Sequence, residues 1–494
     1  RFIPSTPLPS LDPIVATSYV IRNHGYLVYD TLFATDENFQ IQPQMVSAWQ
    51  TAPDGLRWTF HLRDGLTFHD GSPVEAKDCI ASIARWSKRD AFGQTLAGFV
   101  ESYGQEDART FTIALKKPFP LLPAALGKLS SNVPFIMPAR IAATPGTEQI
   151  KEHIGSGPYV FKADEFKPGS IVVYERNPKY VSRSEPPSGL AGGRPVNFDR
   201  VEWVIIRDPQ TQFNALLAGE VDMLEQPSFE QYETLKKPSG VKMEDFPPAG
   251  FQYIMRFNHL HPPFNQPKIR QAAMLAIGQQ AFINTQVGVP ELVRLCRSIY
   301  PCSSVYADEN TPGFTGVANP AKARELLKEA GYDGTPIVMM RPTDLSAITK
   351  LPLVAKQQLE AAGFKVDFQQ MDWASLLARR AKQDAPAQGG WNLFLTAWTA
   401  GDLENPLGMA MLNARGKSGW FGWQDEPRLE DLKAKFARAG SAADKKKIAS
   451  EIQAIAFETA THAPLGQYRS PTVVRNNVSG LIQTPGIPVM WSIK

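Results

Sequence analysis

Residues 48–79 read AWQTAPDGLRWTFHLRDGLTFHDGSPVEAKDC and carry the strongest local folding signals of the chain. The Asp-Gly pair at residues 54–55 is a turn signal. After it, Trp58, Phe60 and Leu62 alternate with polar neighbours, which is the period of a half-buried strand. The first part of the stretch therefore predicts a β-hairpin.

The second part of the same stretch predicts a helix. Two further Asp-Gly pairs, at residues 64–65 and 70–71, turn the chain again. We expect Ser72 to cap the helix, with Pro73 at its first position and Glu75 completing a capping box.

Strand and helix patterns alternate along the rest of the chain and predict an α/β protein. Period-two or continuous apolar runs predict strands at residues 110–115, 171–174, 201–206, 366–370 and 391–398. Period-3.6 patterns with caps predict helices at residues 211–217, 319–330, 351–362 and 427–460.

Composition narrows the class of protein. The 494 residues are enough for roughly three units of about 150 residues each. The formal charge is +3 with both signs spread along the chain, so no nucleic-acid partner is expected. No apolar run reaches about 18 residues, which predicts no membrane insertion. The first residues lack the charged and apolar regions of a signal peptide.

The familiar catalytic motifs are not found in the sequence. Residues 415–418 read RGKS, but a phosphate-binding loop needs a glycine where Met411 stands. There is no G-x-S-x-G and no H-E-x-x-H motif. His259 and His261 are followed by two prolines and have no cysteine near them in sequence. The sequence therefore predicts no enzyme, no metal and no cofactor.

Several motifs, taken in order, resemble one family. Residues 49–78 follow the pattern W-x-x-x-x-D-G-x-x-x-x-F-x-L-R-x-G-x-x-F-H-D-G-x-P-x-x-A-x-D. Residues 155–159 read GSGPY where the family has G-T-G-P-Y, and residues 319–332 match N-P-x-x-A-x-x-L-L-x-E-A-G-Y. The chain thus resembles the family 5 extracellular solute-binding proteins, the peptide, opine, nickel and oligosaccharide receptors of bacterial ABC importers.

The resemblance implies an α/β periplasmic binding protein fold, with two lobes around a cleft and an extra inserted domain. Residues 1–40, 158–250 and 470–494 would form the first lobe. Residues 41–157 would form the extra domain, and residues 251–469 the second lobe.

The resemblance also implies the function. A mature exported chain would capture a small ligand in the periplasm and deliver it to an inner-membrane ABC permease. We expect a monomer that closes about a hinge, with crossings near Pro248-Ala249-Gly250 and near residue 470.

Residues 398–402 are the first candidate for ligand contact. They read WTAGD and follow a buried strand, and open α/β sheets place ligands at the ends of such strands. In the peptide receptors of the family a W-x-A-D here lines the cleft, which implies roles for Trp398, Thr399, Ala400 and Asp402. Gly401 makes the segment one residue longer than that pattern. The alternative is that Asp402 only caps a helix beginning near residue 406.

Two further groups of candidates follow. Trp420, Phe421 and Trp423 are expected on an exposed, glycine-flanked loop beside the cleft, and the alternative is a loop that packs on its own lobe. The resemblance implies ligand contact from a strand–helix junction and from a second loop; the residues concerned are Tyr19, Arg22, Asn23, His24, Ser131 and Asn132.

The expected ligand is a short peptide or an amino-acid conjugate. Asp402 would then offer a carboxylate to an ammonium group, and Arg22 a guanidinium to a carboxylate. An opine or oligosaccharide remains open, because the tryptophans can stack on a ring. The alternative of another class is an extracellular hydrolase.

The three cysteines suggest a single disulfide. Cys296 and Cys302 are six residues apart, and a bridge between them fits the oxidising periplasm that the resemblance implies. The alternative is two reduced buried thiols. Cys79 is expected to be a free thiol in the core.

Overall fold

The structure is a computed structural model, and it describes residues 1–237, 240–245, 249–484 and 487–494. The chain forms two compact units. The first comprises Arg1–Pro227, Glu233–Pro248 and Pro471–Lys494, and the second comprises Ser228–Tyr232 and Ala249–Ser470. The expected separate domain at residues 41–157 stays a prediction. Pro248, part of the expected hinge, lies outside the described residues.

The first unit contains a mixed seven-stranded sheet. Its strands, in spatial order, are Tyr159–Phe161, Ile171–Arg176, Arg200–Val204, Phe2–Ile3, Met223–Leu224, Thr472–Arg475 and Val241–Glu244. The short strand Phe2–Ile3 pairs in parallel with both of its neighbours, and the other pairs are antiparallel. The last-but-one strand comes from the C-terminal part of the chain, so residues distant in sequence build one sheet.

Smaller sheets in the first unit include the predicted hairpin. A four-stranded antiparallel sheet has the order Val46–Thr51, Arg57–Leu62, Thr110–Leu115 and Val100–Gln105. Two-stranded sheets pair Asp30–Thr31 with Phe135–Ile136 and Phe33–Thr35 with Ile41–Pro43. Trp58, Phe60 and Leu62 are buried and the two strands pair antiparallel, which confirms the predicted hairpin; Thr59, expected on the polar face, is buried as well.

The second unit is built on one six-stranded sheet. Its strands, in spatial order, are Val293–Arg294, His462–Tyr468, Phe251–Phe257, Leu393–Thr399, Ile337–Pro342 and Val366–Met371. The strand Leu393–Thr399 pairs antiparallel to Phe251–Phe257 and parallel to Ile337–Pro342. Six of its seven residues are buried, as the continuous apolar run predicts.

Helices cover these sheets. The α-helices are Tyr19–Val28, Ala76–Trp86, Ala91–Phe99, Leu122–Leu126, Ala139–Ala142, Pro209–Ala218, Tyr232–Leu235, Pro267–Ala276, Gln279–Gln286, Pro320–Glu329, Leu351–Ala361, Trp373–Arg380, Ala400–Leu403, Pro427–Arg438 and Ala442–Glu458. Short 3₁₀ helices are Phe229–Gln231, Pro290–Leu292, Pro386–Gln388, Ala410–Leu412 and Gly416–Ser418. No helix among the described residues is long and apolar enough to cross a membrane.

The predicted cap of the helix after the hairpin is wrong. The helix begins at Ala76 with Glu75 at its N-cap, and the Asp78 carboxylate accepts a hydrogen bond from the Glu75 backbone N–H at 2.8 Å. Ser72 instead donates its hydroxyl to Asp70, at 2.6 Å, within the preceding turn. The side chain that was expected to cap the helix is therefore committed to the Asp-Gly turn.

Cys296 and Cys302 are joined by a disulfide, which confirms the predicted pairing. Cys79 is free and buried. We expect one reactive thiol per chain when the unreduced protein is denatured, because denaturation exposes Cys79 and leaves the covalent bridge intact. Thiol titration in denaturant checks this, and the same protein after reduction should give three thiols. Three thiols before reduction would contradict the bridge.

Candidate functional site

The first candidate segment lies where the buried strand Leu393–Thr399 ends. Thr399 is the N-cap of the short helix Ala400–Leu403, and its hydroxyl oxygen accepts from the backbone N–H of Asp402 at 3.4 Å. The same hydroxyl donates to Asp402 Oδ2 at 2.9 Å. Asp402 is only 5% exposed. The end of the strand thus holds a carboxylate in a buried position.

The structure contradicts the alternative role predicted for Asp402. No helix begins near residue 406 in the described part of the chain; a turn follows there, and the next element is the 3₁₀ helix Ala410–Leu412. Asp402 lies within a helix that Thr399 caps. Gly401 lies within the same short helix.

Trp398 precedes this helix and is 4% exposed. Its ring meets the ring of Trp420 edge to face, with centroids 5.4 Å apart. Its indole nitrogen Nε1 is buried without a hydrogen-bond partner among the described residues. A buried donor of this kind costs free energy unless an acceptor reaches it. Ligand contact by Trp398 stays a prediction.

The expected exposure of the aromatic loop is wrong. Trp420 and Trp423 are 8% and 3% exposed, and Phe421 is half-buried. Trp420 packs on Phe394 at 5.8 Å, and Trp423 packs on Trp391 at 5.6 Å. The loop therefore packs on its own unit, because its rings cover apolar side chains of the strand Leu393–Thr399 and of the residues just before it. Ligand contact by these rings stays a prediction.

Arg380 is a member of this cluster that the sequence analysis missed. It ends the helix Trp373–Arg380 and is 1% exposed, with its guanidinium carbon 4.5 Å from the ring centroid of Phe421 and 5.5 Å from that of Trp420. Burial lowers the pKa of Arg380 to about 9. The signal was present, since residues seven apart share a helix face and Arg380 falls on the apolar face of Trp373.

These side chains form one array in the second unit, which we call the Trp398 cluster. Its aromatic part is the pair Trp398 and Trp420, together with Phe421. Asp402 lies four residues beyond Trp398, while Arg380 packs against Trp420 and Phe421. Two buried guanidinium groups, those of Arg380 and Arg256, thus lie against the Trp420 ring, and a buried carboxylate, that of Asp402, follows Trp398 in the next helix.

The candidates near the N-terminus lie within a helix and not at a strand–helix junction, which corrects the prediction. The helix is Tyr19–Val28, and Arg22, Asn23 and His24 are 3%, 4% and 0% exposed. The Arg22 guanidinium lies 4.4 Å above the Tyr19 ring. His24 contacts the Tyr174 hydroxyl at 2.9 Å. These polar side chains are thus held inside the first unit.

The structure brings the other predicted loop next to this helix. Arg22 donates to Ser130 Oγ at 2.6 Å, and Asn23 donates to Glu225 Oε1 at 2.9 Å. Asn132 donates to the Ile14 carbonyl oxygen at 3.1 Å, and the Ser131 carbonyl oxygen accepts from Lys128. Glu225 was missed because its nearest partner is 202 residues away in sequence. Ligand contact by Ser131 and Asn132 stays a prediction.

The described residues contain no group of three or more His, Cys, Asp or Glu side chains arranged to hold a metal ion. His261 contacts the Gln383 carbonyl oxygen at 2.9 Å.

Comparison with known proteins gives the family. The profile of the bacterial extracellular solute-binding proteins, family 5, matches residues 40–420. The chain is 37% identical over 490 residues to the probable peptide ABC transporter periplasmic-binding protein y4tO of Sinorhizobium fredii, covering 99% of this chain and 92% of that protein. It is 28% identical over 409 residues to the glutathione-binding protein GsiB of Pectobacterium atrosepticum, covering 82% of this chain and 75% of that one.

Solved structures share the fold. The periplasmic binding protein DppA from Helicobacter pylori, in complex with the peptide STSA, has a TM-score of 0.83 at 21% identity and covers 100% of this chain and 97% of its own. The binding protein AgaA from A. tumefaciens R10, in complex with agropinic acid, has a TM-score of 0.80 at 20% identity, covering 100% and 98%.

The fold is thus that of the two-lobed periplasmic binding proteins, as the sequence predicts. The chain belongs to the bacterial extracellular solute-binding proteins of family 5. It is a receptor that binds a small ligand for an ABC transporter and acts outside the cytoplasm, and it is not an enzyme. The predicted receptor is confirmed, and the hydrolase alternative is set aside.

Proposed function

We propose that this receptor, acting as a monomer, binds a short peptide or an amino-acid conjugate, and that the Trp398 cluster contacts it. One observation carries the proposal: the buried guanidinium of Arg380 packs on Trp420, Trp420 packs on Trp398, and the buried carboxylate of Asp402 lies in the short helix that follows Trp398. A zwitterionic ligand offers an ammonium to the first and a carboxylate to the second, and charge-assisted hydrogen bonds of this kind are among the strongest in proteins.

Arg380 replaces Arg22 as the proposed partner of the ligand carboxylate. Arg380 packs against Trp420 and Phe421 in the second unit, which also contains Asp402, whereas Arg22 lies in the first unit. Burial lowers the pKa of Arg380 to about 9, which means that its charge is costly where it lies. A ligand carboxylate beside it offsets that cost.

The relatives support the same ligand class. The names of y4tO and GsiB refer to peptide and glutathione, and DppA was solved with a peptide. AgaA was solved with agropinic acid, so an opine is the second candidate ligand. The two are separable, because only a linear peptide has both a free terminal ammonium and a free terminal carboxylate that can be blocked independently.

Blocked peptides test the proposal. We expect wild-type protein to bind trialanine more tightly than N-acetyltrialanine or trialanine amide. Asp402→Asn should weaken the binding of trialanine by about 1.5–3 kcal/mol, the value of a hydrogen bond to a charged group. The variant should also no longer bind trialanine more tightly than N-acetyltrialanine. Arg380→Met should lose the preference against the amide. Trp398→Ala should weaken the binding of all three peptides by about 2 kcal/mol, as the loss of a buried aromatic anchor does at other binding sites. Calorimetry measures each value.

Arg379→Met is the matched control, because Arg379 is adjacent to Arg380 but donates to the Gly390 carbonyl oxygen and to Gln369. It should bind all three peptides as wild type does. Native mass spectrometry of the purified protein shows whether a molecule is retained, and an opine in that spectrum would favour the second candidate ligand. Equal binding of trialanine by Asp402→Asn and wild type would overturn the ammonium contact.

A further inference from the structure

Arg256 is a fully buried cation in the central strand of the second unit. The strand Phe251–Phe257 is buried at every position and pairs on both sides. Arg256 is 0% exposed and lies in register with Phe394 on one side and His462 on the other. A charge in this position needs a strong structural reason, because burying a guanidinium is costly.

The Arg256 guanidinium donates to oxygen atoms from three separate segments. Nε donates to the Phe421 carbonyl oxygen at 2.9 Å. Nη1 donates to the carbonyl oxygens of Met411 and Thr461, at 3.1 and 2.8 Å, and to Gln424 Oε1 at 3.1 Å. One side chain therefore ties the aromatic loop, the 3₁₀ helix Ala410–Leu412 and the start of the strand His462–Tyr468 together.

Arg256 also contacts the aromatic loop through its planar face. Its guanidinium carbon lies 5.4 Å from the ring centroid of Trp420. Gly422 comes so close that an added Cβ would lie 2.4 Å from Arg256 Nε. The loop backbone at Gly422 has a φ of +104°, and its carbonyl oxygen accepts from His259 N–H at 2.8 Å. The loop is thus fitted directly onto the guanidinium.

We infer that Arg256 is a positioning residue that sets where Trp420 and Phe421 stand for ligand binding, an inference that rests on the proposed function above. Arginine suits this task because its donors diverge from one rigid plane, so a single side chain can hold carbonyl groups of several segments. Lysine keeps the charge but presents a single ammonium on a flexible stem. Arg256→Lys therefore separates the geometry of the side chain from its charge.

Arg270 provides a matched control. It is also buried in the second unit, and it donates to the carbonyl oxygens of Phe264, Thr459 and Ala460. In the part of the chain that the structure describes, none of these hydrogen bonds goes to a member of the Trp398 cluster. Arg270→Lys should therefore cost stability as Arg256→Lys does, without changing ligand affinity. The pair separates a positioning role from a general contribution to the stability of the unit.

Two measurements test the inference, with trialanine as the probe. We expect Arg256→Lys to lower the affinity for trialanine by about tenfold. In a Trp420→Ala background the same substitution should change the affinity little further, because the effects of residues that act through one another are not additive. In ligand-free protein labelled with 5-fluorotryptophan, the ¹⁹F resonance of Trp420, assigned by its loss in Trp420→Ala, should shift in Arg256→Lys and not in Arg270→Lys. Gly422→Ala should shift the same resonance.

The outcomes are distinct. Wild-type affinity together with an unshifted Trp420 resonance in Arg256→Lys overturns the inference, and so does an equal loss of affinity in the wild-type and Trp420→Ala backgrounds. Should Arg256→Lys not fold, Gly422→Ala replaces it in both measurements. If Trp420→Ala itself binds trialanine as wild type does, the proposed ligand contact of Trp420 fails; the resonance, recorded without ligand, still decides whether Arg256 positions the ring.

Discussion

Arg85→Met is expected to lower the free energy of unfolding by about 3–5 kcal/mol, the cost of breaking a buried ion pair from one side. Arg85 Nη2 lies 2.7 Å from Asp12 Oδ2, and the two side chains are 2% and 0% exposed. Arg85 also donates to the carbonyl oxygens of Thr144 and Glu148. The substitution leaves the Asp12 carboxylate buried beside an apolar chain, and urea denaturation measures the loss.

Arg140→Met is the control for this prediction. Arg140 pairs with Asp70 and Glu152, but its side chain is 49% exposed, so its loss should change the free energy of unfolding by no more than about 1 kcal/mol. The double variant Asp12→Asn with Arg85→Met should be less destabilised than the sum of the two single variants. Equal losses in Arg85→Met and Arg140→Met would show that the buried pair does not stabilise the first unit.

Acid is expected to destabilise the protein well above the pH at which carboxylates protonate. His24, in the first unit, and His462, in the second, are each at most 1% exposed, and burial lowers the pKa of each to about 3. The charge of Arg256 adds to the effect at His462. Unfolded histidine titrates near pH 6.5, so these groups favour folding fully above that pH. As the pH falls from 6.5 toward 3, each should cost about 1.4 kcal/mol per pH unit.

Urea denaturation at pH 7.5, 6.5, 5.5 and 4.5 checks the slope. His462→Gln should reduce the loss of stability between pH 6.5 and 4.5 relative to wild type, since glutamine does not titrate. A free energy of unfolding that is flat from pH 6.5 to 4.5 would contradict the prediction.

Local order was determined by the sequence wherever a signal is complete within a few residues. The alternation of Trp58, Phe60 and Leu62 fixes which face of the strand carries the large apolar side chains, because side chains alternate at every residue. Asn319 accepts from the Lys322 backbone N–H at 3.0 Å, as its place before Pro320 predicts. The cap at Ser72 failed for the same local reason, since a competing acceptor, Asp70, lies only two residues away.

The tertiary structure alone decided which distant side chains meet. Nothing near Trp420 in sequence indicates that it packs on Trp398 and Arg380, and nothing near Arg22 indicates Ser130, 108 residues away. Exposure of the aromatic loop was predicted from glycines and sequence position, but burial depends on what the loop covers. Local propensity and periodicity act over a few residues, whereas contacts between segments are set by how sheets and helices pack. The sequence therefore determined the elements and the family resemblance, and packing decided the composition of the candidate site.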